Sequence, residues 1–199
     1  MSAQPPFPTV QSLWEATAVD RPAVVELEGR QQYDVAIIGG GYTGMSTARY
    51  LAKRGISSVI LEASTIGWGA SGRNGGVVSG KYRVSYPEIA RLHGIEAARR
   101  MHALGHETVD HLAELVEDYG ITAADYRQGG WLLCAHNVVS FEKLKREVEW
   151  LRSALGDSDN RLYTAEEMQR ETGSRDFVGG MLNSYGGTVH PLNFAFGLA

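Results

Sequence analysis

Val35-Ala36-Ile37-Ile38-Gly39-Gly40-Gly41-Tyr42-Thr43-Gly44 is the stretch that decides the fold of this chain. Its apolar run, preceded by Asp34, predicts a strand covered on both faces, and the run passes directly into G-x-G-x-x-G. From Met45 to Arg54 the residues favour helix. Ala48, Leu51 and Ala52 can pack inward, Lys53 and Arg54 fall in the last turn, and Gly55 stops it. A second strand, Ser57 to Leu61, ends at Glu62. Strand, glycine turn, helix and strand in this order form a compact βαβ unit. Within it Gly39 permits the tight turn, Gly41 lets the backbone approach a pyrophosphate, and Gly44 lets helix pack closely on strand. The N–H groups and partial positive charge of the helix start, at Tyr42 and Thr43, face the phosphates. Glu62, 18 residues after Gly44, puts a carboxylate at the strand end, with Ala63 beside it. There it accepts from ribose hydroxyls and repels a 2′-phosphate, which disfavours NADP.

Composition fits a globular chain around that unit. The 199 residues exceed the ~100 to 150 of the commonest domain size but fall below two full domains. Glycine supplies 24 residues, and eleven of them lie between Gly39 and Gly80. With 43% hydrophobic and 21% charged residues, the chain can build a core, which excludes a disordered tail or a collagen-like rod. A net charge of −4 excludes the dense basic stripe of a nucleic-acid partner. The first basic residue is Arg21, so the charged start of a secretory signal is lacking, and no apolar stretch approaches the ~18 residues of a membrane span. One cysteine, Cys134, excludes an internal disulfide and points to a cytoplasmic setting. It reads as a small buried hydrophobe in a strand, because Leu132, Leu133 and Ala135 bring no charge that would lower its pKa towards a nucleophile or a flavin anchor.

Further elements follow from periodicity. Gln4-Pro5-Pro6-Phe7-Pro8 opens an extended arm anchored by Trp14. Met101, Thr108, Leu112, Leu115 and Tyr119 predict a long amphipathic helix over 96–119, ended by Gly120. Gly130 to His136 reads as a strand, and Phe141, Leu144, Val148, Leu151 and Leu155 as a helical stripe closed by Gly156. Thr164-Ala165-Glu166-Glu167 is a capping box whose helix should stop at Gly173. A last helix starts at Pro191, and its uncharged segment ends at Ala199, which suggests the front part of a longer protein. His102, His106 and Asp110 share one helix face but read as a polar face rather than a metal site. His190 reads as a helix start or turn.

Gly67-Trp68-Gly69-Ala70-Ser71-Gly72-Arg73-Asn74-Gly75-Gly76 is a second glycine-rich loop, too long for a simple turn. Such a loop lays backbone N–H groups along an extended ligand, with hydrogen bonds from Ser71 and Asn74 and a charge from Arg73. With the Val35–Gly44 stretch and Glu62, Ser71-Gly72-Arg73-Asn74-Gly75-Gly76 resembles the N-terminal part of the FAD-dependent amine and amino-acid oxidases of the D-amino-acid oxidase superfamily. Within that superfamily the same stretch and Ser12-Leu13-Trp14 are most similar to the gamma-glutamylputrescine oxidases. Gly129-Gly130-Trp131-Leu132 and Gly187-Thr188-Val189-His190-Pro191-Leu192 also match landmarks of the superfamily.

The resemblance implies FAD, with its AMP half over Gly39 to Gly44 and Glu62 and its flavin reached by Ser71, Arg73, Asn74, Gly75 and Gly76. It further implies hydride transfer from an amine or amino acid to flavin, an imine hydrolysed to an aldehyde or keto product, and O2 as acceptor. Substrate-binding and catalytic residues do not transfer. The alternatives are an FAD-binding module without turnover and an NAD-dependent dehydrogenase, the latter disfavoured by the long loop after Glu62. The expected fold is α/β: residues 1–32 an arm, 33–120 a Rossmann-like FAD-binding domain, 121–190 the start of an interleaved α+β substrate domain, and 191–199 the start of a helix returning to the FAD domain.

Overall fold

The computed structural model describes residues 11–199, so Gln4 to Pro8 of the expected arm lie outside the described residues. In chain order the elements are α1 (Leu13–Thr17), β1 (Val35–Ile38), α2 (Tyr42–Ala52), β2 (Ser58–Leu61), β3 (Val77–Val78), α3 (Tyr86–His93) and α4 (Ile95–Asp118). They continue as β4 (Trp131–Ala135), α5 (Val138–Trp150), β5 (Asn160–Thr164), α6 (Ala165–Thr172), β6 (Gly179–Asn183), β7 (Gly187–Thr188) and α7 (Pro191–Leu198). The chain divides into two compact units. Among the described residues the first comprises residues 11–76, Leu115–Asp125 and Val189–Ala199; the second comprises Val77–Glu114 and Tyr126–Thr188. This differs from the contiguous 33–120 and 121–190 division expected from the sequence. The cause is strand pairing: β3 pairs antiparallel with β7, Val77 opposite Thr188, and draws the chain after Gly76 out of the first unit.

In the first unit β1 and β2 pair in parallel, Val35 opposite Ser58 and Ile38 opposite Leu61, with α2 as the crossover. The βαβ unit is therefore present in the expected order. Its coverage is not as expected, because β1 alternates between half-buried and exposed residues and Ile38 is 81% exposed. Among the described residues, only one face of the strand is covered. The arm is not wholly extended either. Ser12 Oγ accepts the Glu15 N–H at 3.2 Å and caps α1, a local hydrogen bond that favours a helical turn. At the far end of the chain, Leu192, Phe194, Ala195 and Phe196 of α7 are buried, so these apolar side chains find their cover within the chain. Gly197 lies so close that a Cβ there would overlap the Ile121 side chain.

The second unit is built on an antiparallel sheet of order β4-β6-β5. Successive side chains of a strand point to opposite faces, and two glycines of central strand β6 show what covers each face. A Cβ at Gly179 would meet the Phe141 ring of α5 at 2.5 Å, and one at Gly180 the Met168 sulfur of α6 at 2.5 Å. Ala135, Leu144, Val148 and Met181 form the buried cluster under α5. Gly156, with φ 70°, ends the α5 segment, and the Thr164–Glu167 capping box starts α6, which stops at Gly173 with φ 74°. Cys134 lies in β4 opposite Gly180 and is half-buried rather than buried. Among the described residues no helix is long and apolar enough to cross a membrane.

Candidate cofactor site

The Gly39–Gly44 turn joins β1 to α2. Gly39 continues the strand ladder through its N–H to the Leu61 carbonyl at 2.9 Å, then turns with φ 104°, a conformation that favours glycine. At Gly44 a Cβ would overlap the Gly39 carbonyl oxygen and lie 3.3 Å from Ile37 Cγ2, so helix and strand approach as closely as the glycine spacing predicts. Gly41 is the N-cap of α2. By helix geometry the N–H groups of Thr43 and Gly44 have no intrahelical acceptor, which leaves them for an anion. The Thr43 side chain is exposed and lines a shallow depression with Ser46, Thr47 and Tyr50.

Glu62 sits at the end of β2 and closes back on the turn. One carboxylate oxygen accepts the Gly40 N–H at 2.7 Å and the other the Ser64 N–H at 2.9 Å. Gly40 also accepts the Gly67 N–H at 2.9 Å, a double duty that the G-x-G-x-x-G pattern does not assign to its second residue. A carboxylate offers about four lone-pair sites, so two backbone bonds leave room for two ribose hydroxyls. Beside Glu62, Ala63, Ser64 and Thr65 line an open cavity of about 1060 Å³. The hydroxyls of Ser64 and Thr65 are buried without a hydrogen-bond partner. Buried hydroxyls of this kind call for an acceptor or donor supplied from elsewhere.

The second glycine-rich loop comes against the first. Ser71 Oγ accepts the Tyr42 N–H at 3.0 Å, and a Cβ on Gly41 would stand 3.0 Å from that oxygen. The Ser71 hydroxyl keeps its own proton to donate. Tyr42 binds a third segment through its OH, which donates to the Pro191 carbonyl at 2.8 Å, while its ring meets Phe194 edge-on with centroids 5.4 Å apart. Burial pushes the Tyr42 phenol up to about 12. Asn74 and Arg73 also have partners within the chain. The Asn74 amide shapes its own loop: Nδ2 donates to the carbonyls of Ala70 at 3.1 Å and Ser71 at 2.9 Å, and Oδ1 accepts the Gly76 N–H at 2.8 Å. The Arg73 guanidinium lies over the Trp68 ring, 4.9 Å from its centroid. Gly75 is exposed, and Gly76 takes φ 66° where a Cβ would overlap the Val189 carbonyl oxygen.

The structure thus brings Gly39, Gly41, Tyr42, Gly44, Glu62 and Ser71 into one constellation. Residues the sequence reading did not assign to it are Ser64, Thr65, Pro191 and Phe194; Ser64 and Thr65 carried a signal in their position directly after the acidic strand end. The donor set fits FAD: backbone N–H groups and a helix start for phosphates, a carboxylate for a ribose, unpartnered hydroxyls, and a loop of backbone for the flavin.

Residues 34–199 match the family of FAD dependent oxidoreductases. The chain belongs to that family. FAD is the cofactor such oxidoreductases carry, rather than the NAD of the alternative considered above. Gamma-glutamylputrescine oxidoreductase of Escherichia coli (strain K12) is 40% identical over 167 residues, covering 83% of this chain and 38% of that protein. The probable oxidoreductase OrdL of Rhizobium meliloti (strain 1021) is 31% identical over 199 residues, all of this chain and 46% of that protein. Of solved structures, glycine oxidase from Geobacillus kaustophilus superposes with a TM-score of 0.64 at 27% identity, covering 84% of this chain and 43% of its own. The family member described here therefore spans less than half the length of these relatives.

In the second unit a separate set of titratable groups meets along α4. His102 Nε2 lies 2.7 Å from Asp157 and His106 Nε2 lies 2.9 Å from Asp159, while Asp110 accepts from the Tyr185 hydroxyl. The rings of Tyr86, His102, His106 and Tyr185 follow one another at centroid separations of 5.2, 4.5 and 4.2 Å. Asp157 also accepts from the Asn160 amide. Burial alone would raise its pKa, but the bonds from His102 and Asn160 outweigh that and hold the carboxyl below its ordinary value. The helix face read from the sequence as polar is a network of carboxylate-bound histidines.

Proposed function

We propose that this chain forms the cofactor-binding part of an FAD-dependent oxidase of amines or amino acids. Gly39–Gly44, Glu62 and Ala63 hold the AMP half, and the Ser71–Gly76 loop reaches the flavin. One observation carries the reading: Ser71 Oγ accepts the Tyr42 N–H at 3.0 Å, so the phosphate-binding turn and the second glycine-rich loop lie along one extended ligand. FAD, when bound, supplies the acceptor for a hydride from the carbon bearing the amine. The chain's own residues orient it: free N–H groups of the α2 start meet the pyrophosphate, Glu62 accepts from the ribose, and the loop backbone fixes the flavin. The imine product hydrolyses in water to an aldehyde or keto compound, releasing ammonia. The 40% identity to gamma-glutamylputrescine oxidoreductase supports a gamma-glutamylated amine as substrate. O2 is proposed as the final acceptor, and the single cysteine supports a cytoplasmic setting.

Absorption spectroscopy of the purified protein tests this. The expected result is a bound-flavin spectrum that bleaches anaerobically when gamma-glutamylputrescine is added. Flavin that no amine or amino acid bleaches would leave a binding module without turnover. Protein that takes up no flavin would overturn both readings.

A further inference from the structure

The described part of the arm, residues 11–33, precedes the 34–199 span that matches the family, yet it is hydrogen-bonded into the second glycine-rich loop and the start of α7. Trp14 Nε1 donates to the Asn74 carbonyl at 2.8 Å, across 60 residues of sequence. That carbonyl belongs to the residue whose amide ties together Ala70, Ser71 and Gly76. The Trp14 ring meets the His190 ring edge-on at 4.9 Å, and its Cη2 lies 3.5 Å from where a Cβ on Gly76 would stand.

His190 is the hub of the other contacts. Its Nδ1 accepts the Asn193 N–H at 3.1 Å and caps α7. The ring proton is thereby assigned to Nε2, which faces Thr17 Oγ1 at 3.0 Å. Thr17 directs its own proton to the Leu13 carbonyl at 2.8 Å, so its oxygen is free to accept. Two residues further on, the Val19 N–H donates to Asn193 Oδ1 at 3.0 Å, and the Asn193 amide donates to the Ala123 carbonyl at 2.8 Å. Val189 completes the clasp through its N–H to the Gly76 carbonyl at 2.8 Å. The loop between Asn74 and Gly76 is therefore held by its own carbonyl groups, from the arm at one residue and from the α7 approach at another.

We infer that Trp14 and Thr17 are positioning residues for the flavin: through Asn74 and His190 they hold the Asn74–Gly76 backbone in its ligand-binding shape. The inference rests on the proposed FAD site and adds to it a determinant outside the family-matched residues. A loop of three residues including two glycines is costly to order. An arm that orders it beforehand removes that cost from binding. The role belongs to polar groups, so it separates from simple coverage by the Trp14 ring.

The test is fluorescence titration of flavin-free protein with FAD, together with the visible spectrum of the bound flavin and the thermal midpoint without flavin. Trp14→Phe keeps a ring and removes the donor; Thr17→Val removes the hydroxyl, and Thr17→Ser keeps it. Trp14→Phe and Thr17→Val should each weaken FAD about fivefold, the change equivalent to one net hydrogen bond, and shift the vibrational shoulders of the bound-flavin spectrum. Thr17→Ser should bind and melt as the native protein does, while the flavin-free midpoints of Trp14→Phe and Thr17→Val should each fall only slightly, by the loss of one hydrogen bond. Affinities and spectra of Trp14→Phe and Thr17→Val that match the native protein would overturn the inference while leaving the proposed function standing. A native protein that takes up no flavin would overturn the proposed function, and this inference with it.

Discussion

Each oxygen of Glu62 already holds one backbone N–H, from Gly40 at 2.7 Å and Ser64 at 2.9 Å. An amide in its place can accept at one end only, and its NH2 would face an N–H donor. Glu62→Gln should therefore distort the turn and weaken the proposed bonds to the ribose together. Hydrogen bonds to a charged group contribute ~1.5–3 kcal/mol, so FAD affinity should fall by tenfold or more, as roughly 1.4 kcal/mol corresponds to tenfold. Equilibrium titration with FAD measures it, and undiminished affinity would move the ribose away from Glu62. A second residue-scale prediction concerns charge. His106 Nδ1 faces the His102 carbonyl at 3.0 Å and Nε2 faces the Asp159 carboxylate at 2.9 Å. Both partners only accept, so the geometry favours the protonated ring, which donates from both nitrogens. Burial works against that charge, but the bonds to Asp159 and to the His102 carbonyl, with Asp157 nearby, leave the pKa raised. A group whose folded pKa is raised stabilises the fold fully below its unfolded value, ~6.5 for histidine, and ceases to do so as pH rises through the folded value. The stability advantage of the native protein over His106→Gln should accordingly shrink with rising pH above neutrality. Urea midpoints of the two proteins across that range decide it, and an advantage independent of pH would show a neutral ring.

At the scale of elements, the start of α6 offers the cleanest test of local chemistry. Thr164 Oγ1 accepts the Glu167 N–H at 3.2 Å, and the Glu167 carboxylate accepts the Thr164 N–H at 2.8 Å. Thr164→Ala removes one half of this exchange and should cost ~1 kcal/mol. It should leave FAD affinity unchanged, since α6 belongs to the second unit. A denaturant midpoint that does not move would show that water replaces the hydroxyl without loss. This helix was legible from four residues because capping is local, and the same holds for α4, whose apolar spacing marks its length, and for the glycines that end α5 and α6. Other features depended on neighbours that periodicity does not report. The β1 run reads as doubly covered, yet Ile38 is exposed, because apolar composition states what a strand can bury and not what packs against it. Asn74 reads as a ligand donor, yet three hydrogen bonds turn its amide inward. The motif glycines were readable as a set; the bond from Tyr42 to Pro191, residues separated by 149 positions, was not.

The whole molecule alternates between its two units, passing from one to the other after Gly76, Glu114, Asp125 and Thr188. A site written in the first 76 residues therefore depends on pieces far along the chain. Leu192 fills the space beside Gly67 and Gly72, where a Cβ would stand 2.9 and 2.7 Å from its Cδ1. Pro191 accepts from Tyr42, and Ile121 packs against Gly197. Burial of a large apolar side chain contributes ~1.5–3 kcal/mol. Loss of Leu192, Phe194 and Phe196 together would thus remove roughly 5 kcal/mol or more, comparable to the whole stability of a small domain at ~5–15 kcal/mol. A chain truncated after Thr188 keeps all of Gly39–Gly44, Glu62 and Ser71–Gly76. It should nonetheless lose FAD binding, and its first unit should lose its cooperative thermal transition. Calorimetry and FAD titration of the truncated and native chains, side by side, measure both effects. Retention of native flavin affinity after removal of α7 would show that the two glycine-rich loops assemble without it, and that the Tyr42–Pro191 and Leu192 contacts merely accompany the site.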